Sequence, residues 1–208
     1  DKYSVHFKKL MGQFPTIKEQ ITAMDGNIYS LPLARDTFHV TFMNKMWINT
    51  KWLKKLNLNM PATTDELYNV LKAFKEKDPN GNGQKDELPL VIPGGNPGEP
   101  NRASYLMCEF VYDDGLDRFI LDKNNKISVA YNKPEWRKGL EYLRKLYAEG
   151  LIDSSVLTLK NEQIKQLVEK ADAEVVGSIP HQAPPSFANL AGERHKSFDA
   201  LPPVKGSD

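Results

Sequence analysis

The apolar positions of this chain change period several times, and each change marks an element. The clearest pattern lies in residues 63–77. There Leu67, Val70, Leu71 and Phe74 fall at i, i+3, i+4 and i+7, the single stripe of an amphipathic helix. Thr63 followed three places later by Glu66 fits a capping box at its start. Pro79 disfavours a helical Asp78, so the helix should end near Lys77. A second stripe, Trp136, Leu140, Leu143 and Tyr147, runs through 132–153, with Pro134 suited to the first turn and Gly150 to the C-terminal cap. Shorter helices are expected over 15–24, 49–58, 102–111, 160–171 and 184–190, the first of them closed by Asp25-Gly26. Strand patterns cover 27–33, a loosely alternating 38–48, the Pro-bounded 88–93 and 173–179. Residues 119–131 read as a hairpin turning at Asn124-Asn125. No internal repeat is visible. Helices and strands interleave, which indicates an α/β fold.

Composition narrows the function classes. The chain has 208 residues, 40% of them hydrophobic, and its 28 Lys+Arg nearly cancel its 27 Asp+Glu. A net charge of +1 provides no electrostatic footprint for nucleic acid. No apolar run is long enough for a membrane span. Cys108 is the single cysteine, which excludes an internal disulfide, and its apolar setting YLMCEF suggests a buried, inert thiol. The four histidines, His6, His39, His181 and His195, show no HExxH spacing, and no GxSxG elbow is present. The Gly/Pro loop at 94–101 lacks the pattern of a phosphate-cradling loop. Asp113-Asp114 reads as a turn cap. No signal peptide stands at Asp1, and both ends read as interior to a longer protein, so the chain is expected to be a fragment.

The stretch KDPNGNGQKDELPL, residues 77–90, carries the candidate chemistry. Calcium takes six to eight oxygens, and the EF-hand loop supplies them at positions 1, 3, 5, 7 and 9, with Gly at 6 and a bidentate Glu at 12. With Asp78 at the first position, Asn80, Asn82, the Gln84 carbonyl and Asp86 fall on the next four, and Gly83 sits at the turn. Pro89 stands where the bidentate Glu belongs, and Glu87, two residues earlier, is the nearest replacement. The donors are all oxygens, which argues against zinc and copper. Such a loop would fill at the millimolar calcium found outside cells. A plain polar turn is the alternative.

With that loop between its helix and strand, the chain resembles family 1 of the extracellular solute-binding proteins of ABC importers, in particular oligosaccharide-binding lipoproteins. The stretches that carry the resemblance are DGNIYSLPL, MWINTKWLKKLNLNMPATTDELYNVLKAFKEKDPNGNGQKDELPL, EWRKGLEYLRKLYAEGLID and FDALPPVKGSD. The resemblance implies part of a two-lobed periplasmic-binding-protein-like (type II) fold, with residues 1–208 as a piece of it and the lobe boundary unassigned. It implies a structural Ca²⁺ held by Asp78, Asn80, Asn82, Gln84, Asp86 and Glu87. It also implies an oligosaccharide ligand, ABC permease subunits as partners, and an extracellular, lipid-anchored parent whose signal and anchor are absent from this chain. Sugar sites combine aromatic platforms with polar groups; Tyr29, Arg35, His39 and Trp47 are the candidates, with Tyr105 and Tyr112 undistinguished. Trp52 and Trp136 read as core. A binding protein rather than an enzyme is expected; a calcium-dependent protein-interaction module and a carbohydrate-active enzyme fragment are the rivals.

Overall fold

A four-residue strand organises the larger of two units. The computed structural model describes residues 4–32, 43–94, 101–113, 115 and 118–206. Contacts divide the chain into Asp1–Val40 and Thr41–Asp208. The described strands are β1 (Met46–Asn49), β2 (Phe119–Leu121), β3 (Ile127–Val129), β4 (Ser178–Pro180) and β5 (Phe198–Leu201). The described α-helices are α1 (Val5–Gln13), α2 (Thr16–Ile21), α3 (Thr50–Lys55), α4 (Thr64–Glu76), α5 (Ser104–Met107), α6 (Pro134–Ala148) and α7 (Asn161–Val168).

The first unit holds α1 and α2, neither of which buries a residue. The strand expected over 27–33 is reduced to one bridge between Thr22 and Ile28, and Leu33 lies outside the described residues. Among the described residues the turn at Asp25-Gly26 closes on this one bridge. Gly26 takes φ +81 there, a conformation that Gly adopts at little cost.

In the second unit β1 lies between β4 and β5 and pairs antiparallel with both. Met46 and Ile48 are fully buried, while Trp47 alternates to the other face and is half-buried. The expected strand over 38–48 is therefore confined, within the described residues, to its last positions plus Asn49. Asn49 then starts α3 by accepting from the Trp52 amide at 3.1 Å, an N-cap. Helix α4 buries the predicted stripe of Leu67, Val70, Leu71 and Phe74. Thr63 Oγ1 accepts from the Glu66 amide at 3.1 Å. Glu66 reaches back one residue further than a capping box does, to the Ala62 amide at 2.7 Å.

Residues 88–93 are extended but form isolated parallel bridges, Leu88 to Val176 and Leu90 to Ile152. Pro89 and Pro93 offer no N–H, and the segment splits its pairing between two neighbours. The Leu88 amide donates to Val175 at 2.7 Å and the Leu90 amide to Leu151 at 3.1 Å. The strand expected over 173–179 is likewise divided, since 175–177 pair with this segment and only β4 joins the sheet. The hairpin of β2 and β3 forms as expected, with Asn125 at φ +58.

Helix α6 turns a different face inward from the one the stripe suggests. It buries Gly139 and Leu146, with Tyr142 and Leu143 packed against the core. Leu140 and Tyr147 are each 49% exposed. The reason is a close approach: a Cβ at Gly139 would meet Met107 at 2.8 Å. Trp136 is accordingly not core; it is half-buried beneath the Arg118 guanidinium, 5.4 Å from the ring. Trp52 is core, 2% exposed and edge-on to Phe74 at 5.1 Å.

Two shorter helices are corrected, and one strand is added. The helix over 102–111 contracts to α5, which leaves Cys108 exposed, its Sγ donating to the Asp113 carbonyl at 3.0 Å. The helix over 184–190 is a single 3-10 turn, Pro184–Ser186. Strand β5 was not anticipated: its burial runs buried, exposed, exposed, buried, without the alternation of a half-buried strand.

Candidate functional site

The oxygen-rich loop begins where α4 stops. Asp78 takes φ +46, and Gly81 and Gly83 take φ +78 and +73, so the chain coils tightly around the first carboxylate. Asp78 Oδ1 accepts from the amides of Gly81 at 2.8 Å and Asn82 at 3.1 Å. Its Oδ2 accepts from the Gly83 amide at 3.0 Å. Asn80 Oδ1 accepts from the Asn82 amide at 3.0 Å and Asn82 Oδ1 from the Gln84 amide at 2.8 Å. The loop thus folds on its own side chains.

Asp86 and Glu87 behave differently from each other. Asp86 Oδ1 accepts from the side-chain amides of Asn80 at 2.9 Å and Asn82 at 3.1 Å. Its Oδ2 accepts from the Lys170 ammonium at 2.9 Å. The Lys170 bond, followed by the two Asn amides, holds the Asp86 carboxyl below the usual carboxylate range. Glu87 is 9% exposed, and its Oε1 has no partner. Burial pushes the Glu87 carboxyl up, and the charges of Asp78 and Asp86 add to the rise. An ionised, buried carboxylate without a counter-charge is costly, and a cation would remove that cost.

Among the described residues, no three Asp, Glu, His or Cys side chains stand close enough together to hold a metal ion. The donor set nevertheless fits a hard cation: its side chains offer oxygen without sulfur or imidazole, and one buried oxygen is unsatisfied. Convergence would require the Asn80 and Asn82 amides to present oxygen where they now present N–H to Asp86.

Tyr29, in the first unit, is 74% exposed, and its hydroxyl donates to Asp25. Trp47, in the second, donates from Nε1 to the His181 carbonyl at 3.0 Å and packs beside Phe187 at 6.1 Å. Arg35 and His39 lie outside the described residues. Tyr105 belongs to the core, its hydroxyl donating to the carbonyls of Leu201 and Pro202, whereas Tyr112 is exposed.

Sequence reasoning missed Lys170 and Glu174. Glu174 accepts from Lys51 at 3.0 Å, Arg194 at 3.1 Å, Asn49 at 3.2 Å and Ser197 at 2.9 Å. Burial pushes its carboxyl up, but Lys51, Asn49 and Ser197 together hold it below the ordinary value. No local pattern marks either residue, since their partners lie more than 80 residues away for Lys170 and more than 120 for Asn49 and Lys51.

The chain belongs to the bacterial extracellular solute-binding protein family, whose sequence profile matches residues 8–204. It is 39% identical over 158 residues to the fructooligosaccharide ABC transporter substrate-binding protein FusA of Streptococcus pneumoniae serotype 4, covering 74% of this chain and 29% of FusA. Lipoprotein LipO of Bacillus subtilis is 32% identical over 155 residues, covering 74% of this chain and 30% of LipO. A solved structure of an EF-hand mutant of the S. pneumoniae protein FusA with fructo-nystose superposes with a TM-score of 0.82 at 29% identity, over 99% of this chain and 41% of that one. The alginate-binding protein AlgQ2, solved without calcium ion, superposes at 0.68 and 30% identity, over 87% of this chain and 35% of that one. The α/β fold is thus that of a solute-binding protein, and the family is one of binding proteins for ABC transporters. Among the described residues no helix is long and apolar enough to cross a membrane.

Proposed function

We propose that this chain is part of a two-lobed extracellular receptor that captures an oligosaccharide and delivers it to the permease subunits of an ABC importer. The observation that carries this reading is the 39% identity to a fructooligosaccharide-binding protein over 74% of the chain. Closure of two lobes about a hinge would enclose the sugar, with Tyr29, Arg35, His39 and Trp47 as the side chains proposed to line the cleft. The parent protein is proposed to be a lipid-anchored lipoprotein, as a relative named a lipoprotein supports.

The reading includes a structural calcium ion held by Asp78, Asn80, Asn82, the Gln84 carbonyl, Asp86 and Glu87. Calcium would supply positive charge to three carboxylates and hold the end of α4 to the segment that follows. The unsatisfied Glu87 Oε1 supports this part of the reading, and the EF-hand named for FusA agrees with it.

The test is calorimetric titration of the complete protein with kestose, nystose, alginate oligosaccharides and milk oligosaccharides, with the incubated sugars then chromatographed. Saturable binding of one class without new products is the expected result. No binding to any of these sugars would sink the oligosaccharide reading. Shortened products would transfer the protein to the carbohydrate-active enzymes.

A further inference from the structure

Asp86 divides its two oxygens. Oδ1 faces the amides of Asn80 and Asn82, and Oδ2 is taken by the Lys170 ammonium. Lys170 lies just beyond α7 and is itself held from behind, since its carbonyl accepts from Arg194 Nη2 at 2.9 Å. Arg194 Nη1 in turn meets Glu174 at 3.1 Å. We propose that Lys170 is a positioning residue for the cation loop: by holding the outer oxygen of Asp86 it keeps the inner one turned to Asn80 and Asn82, and so raises the loop's affinity for a hard divalent cation. The inference rests on the calcium reading above, which the buried Glu87 Oε1, an oxygen without a hydrogen-bond partner, supports by itself.

Carboxylates that ligate metals are themselves hydrogen-bonded by an outer layer of residues, and losing such a partner weakens metal affinity by roughly 10–100-fold. An ammonium beside a dication also repels it, so two effects of opposite sign compete at Lys170. Its side chain is 42% exposed, and salt screens exposed charges over a length of about 8 Å at physiological ionic strength. Screening acts on the attraction to Asp86 as well as on the repulsion, so the direct 2.9 Å bond to Asp86 is what separates the two effects in the titration. Lys55 supplies the comparison. Its ammonium lies over Gly81, where an added Cβ would meet Nζ at 2.5 Å. A pure charge effect would act from either lysine, whereas positioning of Asp86 acts from Lys170.

The test is calorimetric titration of the EDTA-stripped complete protein with CaCl₂ at about 0.15 M salt. Lys170→Met is expected to weaken Kd by about tenfold or more, Lys170→Arg to stay within about threefold, and Lys55→Met to leave Kd unchanged or slightly tighter. Metal-free melting temperatures of wild type and variants should agree within a few degrees, so that lost affinity is not lost folding; Lys170→Gln replaces Met if that variant melts low. Unchanged or tighter binding by Lys170→Met overturns the proposal, as does Lys170→Arg binding as weakly as Met. A wild-type chain that takes up no calcium overturns the cation reading and this inference with it. Wild-type binding that ignores Lys170 overturns this inference alone.

Discussion

Glu109 illustrates how one residue can set a pH dependence. It lies close enough to Tyr105 and Tyr142 for its charge to raise both phenols, and it accepts from the Val204 amide. Burial outweighs that bond and pushes its carboxyl from 4.5 to about 7. A carboxyl raised on folding contributes stability that is complete below its ordinary pKa and lost as pH rises through the folded value. The loss for Glu109 therefore falls between 4.5 and about 7. Asp86, held low by Lys170, has the opposite sign: its contribution is present above the ordinary range and lost as the solution is acidified. Only a comparison with a variant isolates Glu109. Glu109→Gln keeps the acceptor for Val204 and removes the charge. It should stabilise the chain by about 1 kcal/mol at pH 8, after allowance for the solvent screening of a half-buried group, and by nothing measurable at pH 4. Thermal melts of both proteins at the two pH values check this. An equal gain at both pH values would mean that packing rather than charge is responsible.

At the scale of elements, glycines decide which faces meet. A Cβ on Gly177 would meet Phe74 at 2.6 Å, the Pro89 carbonyl at 2.9 Å and Trp52 at 3.0 Å. That carbonyl also accepts from Ser178 Oγ, so the backbone there has little room to yield. Gly177→Ala should cost about 1–3 kcal/mol, the usual range for overpacking. Gly139→Ala, which meets the flexible end of Met107, should cost less. Urea midpoints of the two variants at unchanged slope check the order, and a larger cost at Gly139 would contradict it. The same glycine explains what the sequence could and could not convey. Helix α4 was legible because its stripe and its cap are both local. Helix α6 was legible in extent but not in face: Trp136, Leu140, Leu143 and Tyr147 keep a 3.6-residue period, and so do Gly139, Tyr142, Leu143 and Leu146. The choice rests on Met107, a contact outside the helix. The extended segments at 88–93 and 173–179 were legible as extended, but their shared pairing joins residues far apart in the chain and leaves no local trace. In the loop the oxygen-bearing residues were legible because they follow one another along a single turn. Lys170, 84 residues from Asp86, is not encoded there.

The larger unit is held together by that loop's position as much as by its chemistry. The loop joins α4, whose apolar stripe lines the core, to residues 88–91, which donate to both Leu151 and Val175. Lys170 adds a third attachment, since it reaches Asp86 while its carbonyl is held by Arg194. A cation that fixed the loop would thus fix the meeting point of segments drawn from the first, middle and last parts of the unit. Without it, Asp78, Asp86 and Glu87 repel one another, and burial makes Glu87 the worst placed of the three. A ligand that binds only the folded state, present at 100 times its Kd, stabilises it by about 2.7 kcal/mol. For a chain of this length that corresponds to a shift of roughly 5–10 °C in melting temperature. Excess EDTA should therefore lower the melting temperature by about that much, and Ca²⁺ should restore it. Mg²⁺ should not, because it demands a smaller, stricter octahedron than this oxygen set offers. Hydrogen exchange should show the same response at the Leu88 and Leu90 amides, which are distant from the ligands in bonding but tied to them through the chain. An EDTA effect confined to residues 78–87, with Leu88 and Leu90 unchanged, would make the ion a local ornament of the turn. No effect on a chain first shown to be loaded with calcium would remove its structural role altogether.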